Sequence, residues 1–262
     1  MTSDEDNLDP QLREVLEIMI EWDGFLKRSR PDEARLSFTQ QQVAWLFGSC
    51  EGSFAGIFLL LKNGLLAEAR TLHRTLFENT VKLVYFERHQ QRLDELAVRL
   101  VYTSICQEIS LEEFALQHGV PRANALELRR RDLWETFEKG HELGLSELRR
   151  LPDVRGLLVG LELEGLYFGF KLGSHFTHSS RLSFATRLEE RSPDVYRVSV
   201  VASTLDLVSD GLTCIETISS ATLAFFNLME WESRHEVLAA KIELFKRTMA
   251  IRSRLGIPAW TA

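Results

Sequence analysis

Long apolar runs are the first thing this sequence lacks. None exceeds Ile57 to Leu61, which is far short of the ~20 residues that a membrane-spanning helix needs. The acidic start, Met1 to Asp9, has no apolar core of the kind a signal peptide carries. Both absences predict a soluble, cytoplasmic protein with no membrane partner. Cysteine is scarce. Cys50, Cys106 and Cys214 are odd in number and widely separated, which predicts free, buried thiols rather than a disulfide framework or a zinc site. Glycine-rich phosphate loops, nucleophile elbows and Glu-x-x-His or His-Glu-x-x-His arrangements are missing. His175 and His178 therefore stand alone, and neither metal nor cofactor is expected. Lysine is short as well, with seven residues, so positive charge rests mainly on arginine, the residue preferred for bidentate carboxylate or phosphate contacts. A net charge of −7 supplies no global basic field, which disfavours nucleic acid as a partner.

Period-two alternation is almost absent, while nearly every segment carries a period near 3.6. With 45% hydrophobic and 26% charged residues the chain has ample material for a core. The reading is all-α: one domain over residues 1–262, a bundle of about eight helices. They are expected over roughly 10–28, 37–62, 65–89, 93–118, 121–143, 152–179, 192–229 and 232–254. Ser37 with Gln40 resembles a capping box, Asn63-Gly64 a stop and turn, and Ser192-Pro193-Asp194 a helix start. The charged stretch 93–144 is expected to form an outer helical hairpin. Gly48, Gly52, Gly56 and Gly165, Gly169, Gly173 form two ladders at i, i+4, i+8 in segments that read as helix. A helical glycine costs roughly 1 kcal/mol relative to alanine, so each ladder is expected to admit a close helix neighbour or to form a homodimer seam.

Two predicted helices place polar groups among apolar ones. On the third, Arg70, Arg74 and Glu78 lie within the stripe of Phe77, Val81 and Tyr85. Charges in such company are costly unless paired. They form either a structural Arg–Glu network or a pair of guanidiniums facing a cavity, ready for a carboxylate or phosphate. On the sixth, Tyr167, Lys171, Ser174 and His178 share one stripe, a line with parts for proton transfer and anion binding. That line would equally serve as a solvated face.

The segment Asn63-Gly64-Leu65-Leu66-Ala67-Glu68-Ala69-Arg70, continuing through Arg74-Thr75-Leu76-Phe77-Glu78, resembles the signature of a widespread bacterial helical family of unknown function. The family's second block, a Tyr, a basic residue, a Ser and then a His, would fall here on Tyr167, Lys171, Ser174 and His178. The resemblance points to these residues without implying an activity. More distantly, the chain is similar to HEPN-type helical ribonucleases, whose site is an Arg followed by four to six residues and a His. Lys171 before His178 is the nearest arrangement here. Three functions stay open. The first is a protein binding an anionic small molecule or nucleotide through Arg70, Arg74, Glu78, Tyr167 and Lys171, as a sensor or accessory of a stress or defence system. The second is a hydrolase or ribonuclease with His178 and Ser174 catalytic. The third is a purely structural protein. The third and sixth helices are expected to face one another, with Arg74 or Glu78 reaching Ser174 or His178.

Overall fold

The computed structural model describes residues 8–31, 35–120, 123–167, 170–171, 188–192, 195–198 and 202–258. Among them eight α-helices pack as one bundle, so the all-α class holds. They are α1 (Pro10–Ser29), α2 (Phe38–Lys62), α3 (Leu66–Arg88), α4 (Leu93–Gln117), α5 (Ala123–Glu142), α6 (Val154–Gly160), α7 (Thr204–Met229) and α8 (Arg234–Leu255). Local signals set several ends. Ser37 Oγ accepts from the Gln40 amide at 3.2 Å and Gln40 Oε1 from the Ser37 amide at 3.0 Å, the reciprocal capping box. Gly64 takes the left-handed conformation (φ 72°), and the Leu65 amide reaches back to Leu60 O at 2.8 Å, which closes α2 and turns the chain into α3.

Helices α2, α3 and α7 form the centre. Phe47, Leu76, Leu83, Phe86 and Phe226 are fully buried there, and Phe47 stacks on Phe225 at 4.1 Å between centroids. α1 packs against α7 and α8 against α7, while α5 lies on α4 as an outer pair. A smaller cluster of Val81, Val154, Leu157 and Leu158 joins α3 to α6. Among the described residues two helices, α2 and α7, are long and apolar enough to cross a membrane by length and composition. α7 is mostly buried in the bundle, whereas α2 leaves Trp45 and Leu59 exposed. Unbroken run length alone did not show this.

Three expectations require correction. The sixth helix does not run from 152 to 179. α6 stops at Gly160 because Glu162 takes a positive φ of 61° and the Leu163 amide returns to Leu158 O at 2.9 Å. This is a Schellman-type end with Glu where Gly is usual; a short 3₁₀ turn, Glu164–Leu166, follows. The seventh helix does not begin at 192. Residues Leu188–Ser192 (β1) and Val195–Val198 (β2) form an antiparallel hairpin, and α7 starts at Thr204 with Ser203 as its cap. Val195, Tyr196 and Val198, β-branched or aromatic residues, carried that signal. Finally, the Gly48-Gly52-Gly56 ladder is not a line of close approach to another helix of the same chain. A Cβ built on Gly48, Gly52 or Gly165 meets nothing within 4 Å, and only Gly56 is tight, 2.6 Å from Leu72 Cδ1. Gly48 and Gly52 face outward, and Gly169 and Gly173 lie outside the described residues. An equally close helix contact falls where no ladder pointed: Gly211 on α7 would bring a Cβ within 2.6 Å of Val15 Cγ1 on α1.

Candidate functional site

α3 and α7 run side by side in the same direction, as Arg70 with Asp210 and Glu87 with Asn227 show. Each turns a mixed face toward a cavity of about 710 Å³ that α8 and the segment around Leu158–Phe170 complete. That is ample for a small-molecule ligand. Residues on the α3 wall follow helical spacing, Arg70, His73, Arg74, Phe77, Val81 and Val84. The facing α7 wall carries Ser209, Asp210, Thr213, Glu216, Thr217 and Ser220. Leu161, Leu163, Leu166 and Phe170 close one side, with Leu244 and Phe245 of α8 on another. Most of the enclosure is hydrocarbon.

The charges inside it differ in how they are satisfied. Arg70 is committed: its Nε and Nη2 donate to Asp210 Oδ2 at 2.9 and 2.6 Å. Glu216 is committed to Arg252, which is 1% exposed and donates to both carboxylate oxygens at 2.9 and 3.2 Å. Arg252 also donates to Thr213 Oγ1 and to Pro258 O, so its guanidinium is well satisfied. Such a buried pair holds because further hydrogen bonds saturate it. Arg74 is different. It lines the cavity with its guanidinium 4.9 Å from the Phe170 ring centroid, and among the described residues it has no carboxylate partner. Stacking on an aromatic face leaves the edge of the guanidinium free to donate.

His73 lies between these groups. Its Nε2 is 3.1 Å from Thr217 Oγ1, whose single proton is already given to Thr213 O at 2.8 Å. Nε2 must therefore be the donor, which leaves Nδ1 as the acceptor of a neutral ring. Burial pushes this imidazole below its ordinary value, with Asp210 pulling it up and Arg70 down again. On α8, Lys241 Nζ donates to Ser220 Oγ at 3.2 Å. Burial lowers its pKa, and the nearby Glu87 works in the opposite direction. Among the described residues no group of His, Cys, Asp and Glu is arranged to hold a metal ion.

The sequence-selected residues therefore divide. Arg70 and Arg74 are on the cavity wall. Glu78, the next turn of the assumed stripe, points away and pairs with Lys82 at 3.0 Å. Tyr167 is behind the wall, its ring 5.9 Å from Phe170 and near Arg155 and Lys171. Lys171 is exposed, its ammonium 5.5 Å from the Tyr167 centroid. Ser174 and His178 lie outside the described residues, so their reach to Arg74 or Glu78 does too; α3 and α6 themselves do pack together. Sequence reasoning missed His73, Asp210, Glu216, Thr217 and Lys241. The signal for those on α7 was present: Ser209, Thr213, Glu216 and Ser220 recur at helical spacing in an otherwise apolar helix, the pattern that singled out α3.

The model of a family of unknown function, DUF5677, matches residues 43–195. No curated protein and no solved structure matches the chain. The matched span holds the α3 wall, whereas α7 and α8 follow it. The chain belongs to the DUF5677 family.

Proposed function

We propose that this DUF5677 member binds a small organic anion with a largely apolar body, in the cavity between α3, α7 and α8. One observation carries the reading: Arg74 is a cavity-facing guanidinium stacked on Phe170 and without a carboxylate partner among the described residues. A carboxylate, sulfonate or phosphate arriving there gains charge-assisted hydrogen bonds in a low-dielectric setting. Phe77, Leu166, Phe170 and Leu244 supply the hydrocarbon surroundings for its body. Arg70 supports the anion's field without being its primary contact, since Asp210 already holds it. Such a binding role fits a sensor or accessory of a stress or defence system, with ligand occupancy as the signal.

The aromatic sulfonate 1-anilinonaphthalene-8-sulfonate tests this. The folded protein is expected to bind it with enhanced fluorescence. Arg74→Gln is expected to weaken that binding about tenfold or more, the equivalent of one charge-assisted contact. Glu78→Gln, off the cavity wall, should leave it unchanged. Equal binding by Arg74→Gln and wild type, at matched melting temperature, would remove the assignment.

A further inference from the structure

Farther along the α3–α7 groove from Arg74, a second polar group faces the cavity. Arg74 and Glu87 are separated by about 20 Å of helix axis at 1.5 Å per residue, and Lys241 of α8 reaches in near Glu87. The hydrogen-bond inventory there can be closed proton by proton. Ser220 donates its one hydroxyl proton to Glu216 O at 3.0 Å, so its oxygen accepts from Lys241 Nζ. The remaining ammonium protons meet no acceptor among the described residues, and Lys241 forms no ion pair there. Glu87 is held by Asn227 Nδ2, which leaves the carboxylate facing Lys241 without closing on it. This end of the cavity thus offers donors and an acceptor side by side, and their opposite charges balance.

That balance discriminates among ligand ends. A second carboxylate would gain Lys241 but bring its charge against Glu87. A plain alkyl tail would desolvate both groups and satisfy neither. An uncharged group that accepts and donates satisfies both. On the reading that Arg74 receives an acid, we infer that the ligand's other end carries a hydroxyl or primary carboxamide, accepting from Lys241 and donating to Glu87. The ligand class is then an ω-hydroxy or ω-amide organic acid, distinct from a simple fatty acid and from a diacid.

Displacement of bound 1-anilinonaphthalene-8-sulfonate from the whole protein provides the test. The probes are the alkanoates from octanoate to dodecanoate, their ω-hydroxy counterparts and the matching α,ω-diacids. At the best chain length the ω-hydroxy acid is expected to bind about tenfold more tightly than the alkanoate, because a site built for a hydroxyl discriminates against its absence. It should also bind more tightly than the diacid. Lys241→Met should erase the hydroxyl advantage while alkanoates still displace the probe through Arg74, no longer having to desolvate the ammonium. If alkanoates bind through Arg74 but the hydroxyl confers no advantage, or if the diacid binds most tightly, this inference is wrong and the anion site stands. If none of the three series displaces the probe, and Arg74→Gln does not affect probe binding, the anion site falls with it.

Discussion

Arg70 and Arg74 stand one helical turn apart, and their neighbours give them different roles. Arg70 meets Asp210 and becomes a strut between α3 and α7, while Arg74, among the described residues, meets the face of Phe170 and no carboxylate. Sequence periodicity placed both on one stripe and could not separate them, because the distinguishing carboxylate comes from 140 residues away. Glu78 failed for a simpler reason. At about 100° per residue, two turns rotate the line by some 80°, enough to carry the side chain off the cavity and toward Lys82. His73 stands out in no sequence pattern, yet it makes the site's stability sensitive to pH. Its folded pKa is depressed by burial, so as pH falls below the ordinary imidazole value of ~6.5 the unfolded chain takes up a proton that the folded one refuses. Stability is lost in that direction. His73→Gln, which keeps a donor for Thr217, should therefore lose less melting temperature than wild type between about pH 7.5 and about pH 5.5. An equal loss in both proteins would show that His73 is not the titrating group.

At the scale of elements, caps were easier to read than faces. The Ser37–Gln40 box and the Asn63-Gly64 stop announced themselves because each acts through its own side chain or backbone within a few residues. The end of α6 did not, because Glu162 occupies the left-handed position that glycine usually marks. The glycine spacing was suggestive, but spacing cannot say whether a stripe faces another helix or solvent. The space around each glycine makes the distinction quantitative. Gly48→Ala and Gly52→Ala introduce a methyl group into open space and should each raise stability by up to about 1 kcal/mol through helix propensity. Gly211→Ala drives a methyl group against the stiff, branched Val15 and should lower stability by about 1–3 kcal/mol despite the same propensity gain. Chemical denaturation of the three variants decides it. A stabilised Gly211→Ala would mean that α1 and α7 are not packed as described.

For the molecule as a whole, the helical periods led correctly to an all-α bundle, since core burial needs only the right face on each helix. The cavity was half legible. Its α3 wall stood out as charge among apolar residues, and its α7 wall showed the same pattern less conspicuously, with Ser and Thr in place of Arg. What no local pattern supplies is that the two walls face each other, with Lys241 and Phe245 of α8 beside them. Those placements turn scattered polar residues into an enclosure with a guanidinium that has no carboxylate partner among the described residues. The direct measurement is a crystal structure of the protein grown with decanoate. Decanoate is expected inside the cavity, its carboxylate hydrogen-bonded to Arg74 over the Phe170 ring and its chain running along the groove between α3 and α7. A carboxylate seated elsewhere, or a cavity that excludes decanoate at saturating concentration, would contradict it.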